Sequence, residues 1–425
     1  MCKYSITGGR RLEGETSIGG CKNAVLPILA ATVAVGARSI IHGVPDISDT
    51  HVSMDILRHL GCDVVYDGHV MVVDSSGASG GRLPEKQARS MRSSILFAGA
   101  QLGRFRSFDA PHPGGCKLGA RPIDIHISAF KQMGAKFESD VNSISAHAKR
   151  LRGANIILDF PSVGATQNII LASVLADGYT LIQNAAREPE IVDLQGFLRA
   201  AGAYVAGAGT STIVVKGVKK LHEVEYEIMP DRIVAGTYLA AGAITRGIIR
   251  LNNVNHEDIL PATDVLKGMG VKLVHDGSSL VACARGVDLR LPKKLVTGCH
   301  PEFPTDMQPQ FTALFATALG ECLIEENVFE ARSAHIPELN KMGADIVNIN
   351  DNRFHVKGVE RLNGEIVTAK DLRSGAALVL AGLAADGNTI VREIEHIQRG
   401  YEALDKDLQA LGADITLIDN SDGSN

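Results

Sequence analysis

HLGCDV, residues 59–64, joins an apolar helical stretch to a strand start through a single glycine. The same join returns as QMGAKF (132–137), AAGAYV (200–205), GMGVKL (268–273), KMGADI (341–346) and ALGADI (410–415). Its glycines, Gly61, Gly134, Gly202, Gly270, Gly343 and Gly412, are spaced by 73, 68, 68, 73 and 69 residues. A sixth of the 425 residues is about 71, so six units fill the chain. Glycine belongs at this join because a helix that turns into a strand ends on a left-handed residue, where a Cβ is penalised.

Each marker is preceded by residues at helical spacing, such as Met54, Leu57 and Leu60, and followed by a short strand. A second strand follows a polar or glycine turn, as Val70 to Val73 follow Asp67 and Gly68. Further upstream lies another strand entered from a small-residue helix. Helices over 24–35 and 375–385 read as apolar nearly all round, which predicts burial on every side. At about a dozen residues they are too short to cross a bilayer.

The second unit departs from the others. From Tyr179 to Gly202 and from Gly247 to Gly270 is 23 residues, but from Arg106 to Gly134 is 28. The extra residues fall at PHPGGCKLGARP, 111–122. Its glycines permit a loop that closes over a ligand, and Cys116 at the tip is flanked by the cations Lys117 and Arg121. Cations favour a reactive thiolate. A departure from a uniform scaffold is where function is sought first.

Composition narrows the class. A net charge of −5 and the lack of an aromatic-basic motif speak against a nucleic-acid surface. The opening MCKYSITGGRR has no apolar run and is not read as a signal peptide. Seven cysteines without metal-type spacing fit a reducing cytoplasm. No GxGxxG or Walker A string supports NAD or ATP use, and no metal or cofactor is expected.

Further segments carry chemistry. GGCKNAVLPILAA (19–31) puts Lys22 and Asn23 where a glycine turn meets a buried helix, a place that attracts anions. Arg92, Arg373 and Arg399 stand near small-residue helices, and an arginine fork binds phosphate or carboxylate bidentately. Read alone, each is a surface ion-pair partner. Asp306 precedes an apolar helix and reads plainly as an N-cap or first-turn carboxylate. PSVGATQN (161–168) opens onto a helix in the manner of a phosphate cradle.

Taken together these strings resemble the UDP-N-acetylglucosamine 1-carboxyvinyltransferases of the enolpyruvyl transferase family. The resemblance runs from Ile6 to about Ile418, through GGCKNAVLPILAA, PHPGGCKLGARPIDIH, SVGAT, NAAREPEIVDL, FPTDMQ, ELNKMGA, DLRSGAAL and QRGYE. It implies an α/β fold of two inverted domains, each of three βαβαββ-type repeats around buried helices. The boundaries expected are 22–229 for one domain and 1–21 plus 230–425 for the other, with the active site in the cleft between them.

The resemblance also implies roles. Lys22, Arg121 and Arg399 would hold phosphoenolpyruvate, with Asn23 beside the reacting groups. Cys116 would protonate its methylene carbon and can form a covalent adduct, and Asp306 would accept the proton of the sugar 3-hydroxyl. Arg92, the run Arg121, Pro122, Ile123, Asp124 and Ile125, then Ser162, Val163, Gly164 and Val328 would surround the uridine diphosphate. Arg373 with Asp371 would form the basic side of the closed cleft. An aspartate at 116 would imply a fosfomycin-insensitive variant, but the cysteine is present. Cys21 stands where the family usually has alanine, and 330–334 (EARSA) departs from its pattern, so no role is carried to Arg332.

The expected partners are the small molecules phosphoenolpyruvate and UDP-N-acetylglucosamine, with no nucleic acid, membrane or obligate protein partner. Two alternatives stand beside this reading. One is a sister enzyme acting on shikimate 3-phosphate, and the other a non-catalytic UDP-sugar-binding regulator.

Overall fold

In the computed structural model, residues 2–114, 123–139 and 142–419 are described. Cys116, Lys117, Arg121 and Pro122 lie outside them. The six marker glycines all have positive φ, between +87° and +106°. Around each, two amides bond back into the helix. Gly61 N donates to Arg58 O and Cys62 N to Leu57 O, both at 3.0 Å; at the last unit Gly412 and Ala413 donate to Gln409 and Leu408. This is the Schellman closure, in which two otherwise orphaned carbonyls are satisfied as the chain reverses.

The third repeat shows the unit most plainly. Its strands Asn155–Ile157 and Tyr179–Gln183 pair in parallel across the helix Val163–Ser173. After the helix Pro189–Ala200 come Tyr204–Ala206 and Thr212–Lys216, the latter antiparallel to Tyr179–Gln183 and the former on the edge. The order is therefore β-α-β-α-β-β in one four-stranded sheet. The second repeat keeps three strands, and its first is reduced to a single bridge between Arg82 and Asp109.

Residues distant in sequence complete three of the sheets. Lys3–Thr7 lies between Asn388–Arg392 and Asp414–Ile418, antiparallel to both. Glu13–Ser17 pairs in parallel with Ile248–Asn252, and Val224–Glu227 with Arg38–His42.

The described residues divide into two compact units, one of residues 20–229 and one of 2–19 with 230–419. Each has its own apolar core. In the first, the helices Lys22–Val35, Leu96–Phe105 and Val163–Ser173 are buried at the centre. In the second, Arg232–Ile244, Gln308–Phe315 and Leu372–Ala384 take that place. Small residues let these helices approach closely. A Cβ on Gly99 would lie 2.3 Å from the Asn168 carbonyl oxygen, and the Gly99 amide donates to Asn168 Oδ1 at 2.8 Å. Among the described residues no helix is long and apolar enough to cross a membrane.

Candidate active site

The helix read from the sequence as starting near Ala24 begins at Lys22, so Lys22 and Asn23 occupy its first turn. The Lys22 side chain is nearly buried, and its Nζ meets Asp49 Oδ2 at 2.8 Å. Asp49 stands in the first turn of the helix Ser48–His59. Taking both charges out of water is costly unless they are paired, so the ammonium is held at a defined place.

A second group of expected residues meets around a histidine. Ser162 caps the helix Val163–Ser173 and accepts from the Ala165 amide at 3.3 Å. A Cβ on Gly164 would lie 3.3 Å from His126 Cε1. His126 belongs to the helix Asp124–Gln132, whose first turn holds Asp124 and Ile125, with Ile123 just before it. Asn168 Nδ2 donates to His126 Nδ1 at 2.8 Å, which leaves the ring proton on Nε2. Burial pushes the His126 pKa down to about 4, and the charge of Arg92 pushes the same way. Arg92 opens the 3-10 turn Arg92–Ile95. The ring is thus a neutral donor beside the N-terminus of the helix Val163–Ser173, a place suited to a phosphate-bearing ligand.

In the other unit Asp306 lies in the 3-10 turn Thr305–Met307. Of the two plain readings, an N-cap or a first-turn carboxylate, the structure shows the second: Pro304 is the capping residue and Asp306 stands in the first turn. One carboxylate oxygen of Asp306 takes Arg332 Nη1 at 2.8 Å, and the other takes Arg373 Nη2 at 3.0 Å. The Asp306 side chain is 23% exposed, whereas those of Arg332 and Arg373 are 5% and 3% exposed. Burial alone would raise the Asp306 pKa, but the two guanidiniums overcome it and hold the carboxyl well below the ordinary carboxylate range. Burial likewise opposes the charge of Arg373, and Asp306 restores it with help from Tyr401 and Asp231.

Asp371 accepts from the Arg373 and Ser374 amides at 2.9 and 3.0 Å, a capping box that fixes the helix start bearing Arg373. Arg399 ends the 3-10 turn Ile394–Arg399. That turn lies close to the Arg373 helix because residue 375 is glycine: a Cβ there would sit 2.6 Å from Ile397 Cγ1. Val328 donates its amide to Glu326 Oε1 at 3.0 Å.

The residues the sequence reading passed over are Arg332, His126 and Asp49. Arg332 stands in the stretch that departs from the family pattern and meets Asp306 from 26 residues away. His126 closes the quoted string PHPGGCKLGARPIDIH, but nothing in that string reveals its contact with Asn168, 42 residues on.

Comparison with known proteins adds to this geometry. Residues 6–408 match the model of the EPSP synthase (3-phosphoshikimate 1-carboxyvinyltransferase) family. The chain belongs to this enolpyruvyl transferase family. Among the curated enolpyruvyl transferases, UDP-N-acetylglucosamine 1-carboxyvinyltransferase 2 of Caldanaerobacter subterraneus is 45% identical over 98% of this chain and 100% of its own. UDP-N-acetylglucosamine 1-carboxyvinyltransferase 1 of Staphylococcus aureus is also 45% identical, over 99% and 100%. Among solved enolpyruvyl transferases, NikO from Streptomyces tendae aligns with a TM-score of 0.88 and 28% identity, covering 98% of this chain and 99% of its own. EPSP synthase from Acinetobacter baumannii aligns at 0.73 and 18% identity, over 99% and 100%, which supports the fold alone.

Proposed function

We propose that the protein transfers the enolpyruvyl group of phosphoenolpyruvate to the 3-hydroxyl of UDP-N-acetylglucosamine, releasing phosphate. This is the first committed step of peptidoglycan synthesis, carried out in the cytoplasm. The observation that carries the reading is end-to-end similarity at 45% identity to enzymes of that name. Supporting it, Asp306 is held in a cage of two buried arginines.

In this reading both expected domains, 22–229 and 1–21 with 230–425, contribute residues to the reaction. Lys22, Arg121 and Arg399 hold phosphoenolpyruvate, with Asn23 beside the reacting carbons. Arg92, residues 121–125, 162–164 and Val328 hold the nucleotide, and Arg373 with Asp371 forms the basic wall. Cys116 gives its proton to the methylene carbon, leaving a cationic centre at C2. The sugar 3-hydroxyl attacks that centre while Asp306 accepts the hydroxyl proton, and a tetrahedral ketal results. Loss of phosphate, with a proton leaving the new methyl group, restores the vinyl ether.

A carboxylate kept well below its usual range is a weak base, and here a weak base suffices. As the new C–O bond forms, the attacking hydroxyl becomes strongly acidic, so the proton passes late. Positioned acid and base groups each contribute about 10² to 10⁴. Clamping two polyanionic substrates by fixed cations supplies further stabilisation.

Replacing Cys116 with serine tests the assignment: turnover is lost while UDP-sugar binding stays nearly intact. A wild-type protein that binds the UDP-sugar but releases no phosphate would favour the regulatory reading instead.

A further inference from the structure

Beneath the Asp306 cage lies a buried chain of hydrogen bonds whose direction is fixed. Thr237 Oγ1 donates to Ile233 O at 2.8 Å, so it accepts from the Tyr401 hydroxyl at 2.7 Å. Gln310 Nε2 in turn donates one proton to the Asp306 carbonyl at 3.0 Å and shares the other between Tyr401 Oη and Thr237 Oγ1, each at 3.2 Å. Turning the Gln310 amide over would set its oxygen against that carbonyl, so its orientation is settled. The Tyr401 ring also lies under the Arg373 guanidinium, 5.7 Å from centroid to Cζ. Arg373 Nε and Nη1 are buried and have no acceptor, leaving the guanidinium held by the Asp306 contact and by this ring. Tyr401 is 2% exposed, and Gln310 and Thr237 are fully buried.

We propose that Tyr401 and Gln310 are positioning residues for the reaction: one buried chain sets both the turn that carries Asp306 and the seat of Arg373. This rests on the function proposed above, in which Asp306 receives the sugar proton. Neither side chain needs to touch substrate. A misplacement of about 1 Å in a group that must meet a proton in flight is enough to slow turnover.

The test uses Tyr401→Phe, Gln310→Met and the double variant, measuring kcat, KM for both substrates and UDP-sugar affinity. Losing a single buried hydrogen bond should lower kcat about tenfold in each single variant. Because both act through one chain, the double variant should lose about tenfold, not a hundredfold. KM values and UDP-sugar affinity should stay within about twofold. Single variants with wild-type kcat, losses that multiply, or losses confined to KM would overturn the proposal. If Gln310→Met fails to fold, Tyr401→Phe decides. Wild-type turnover is the control, and its absence would count against the proposed function. A crystal structure of Tyr401→Phe reads the positioning independently of turnover: an Asp306–Arg373 contact lengthened beyond ~3.5 Å supports it, and an unmoved pair rejects it.

Discussion

Arg373 Nη2 lies 3.0 Å from Asp306 Oδ2, although 67 residues separate them in the chain. The contact joins a helix start to a 3-10 turn and makes the carboxylate part of a fixed electrostatic frame. Asp306→Asn keeps the shape and removes the proposed acceptor of the sugar proton. Turnover should fall by about 10² to 10⁴ while UDP-sugar binding persists. Steady-state phosphate release together with calorimetric titration checks both halves.

The same frame makes a statement about pH. Asp306 has a folded pKa below its unfolded value, so its contribution to stability is present above the ordinary carboxylate pKa. It is lost as pH falls through the depressed folded value. Arg332→Met removes one of the two guanidiniums and should raise the Asp306 pKa. The acid limb of thermal stability should then move to higher pH, as melting curves across the acid range would show.

His126 shows the same linkage at higher pH, although it is a base. Its folded pKa, about 4, is below its unfolded one. The unfolded chain therefore binds the extra proton between about pH 6.5 and pH 4. Stability is lost as pH falls through that window, by on the order of 3 kcal/mol at its lower end. His126→Gln should flatten this part of the stability profile, with denaturant unfolding at pH 7 and pH 5 as the measurement.

Gly375 tests how the Arg399 turn is seated. A methyl group there would stand 2.6 Å from Ile397 Cγ1 and 2.9 Å from Ala369 Cβ. Gly375→Ala should therefore displace the turn bearing Arg399 and raise KM for phosphoenolpyruvate more than KM for the UDP-sugar. Gly412→Ala makes the contrast. Its Cβ meets nothing nearer than Glu13 O at 3.5 Å, and its φ is +95°. Its cost should be backbone strain alone, about 1–2 kcal/mol, with catalysis unchanged.

The repeat was legible because its signal is local. A left-handed helix end needs glycine whatever packs around it, so Gly61 and its five counterparts marked the units without any tertiary knowledge. The all-round apolar helices were legible for a similar reason, since a stretch with no polar face has no option but burial. Asp306 was singled out by its string, yet its environment was not, because Arg332 and Arg373 reach it from 26 and 67 residues away. The Tyr401–Gln310 contact spans 91 residues and the His126–Asn168 contact 42, with no periodicity to announce either. The first strand of the second repeat was hidden because it survives only as the Arg82–Asp109 bridge.

The most direct measurement is phosphate release from phosphoenolpyruvate by the purified protein, with UDP-N-acetylglucosamine or shikimate 3-phosphate as acceptor. Release should require UDP-N-acetylglucosamine and stop when an epoxide alkylates Cys116. Release with shikimate 3-phosphate alone, or none with either acceptor, would contradict the account.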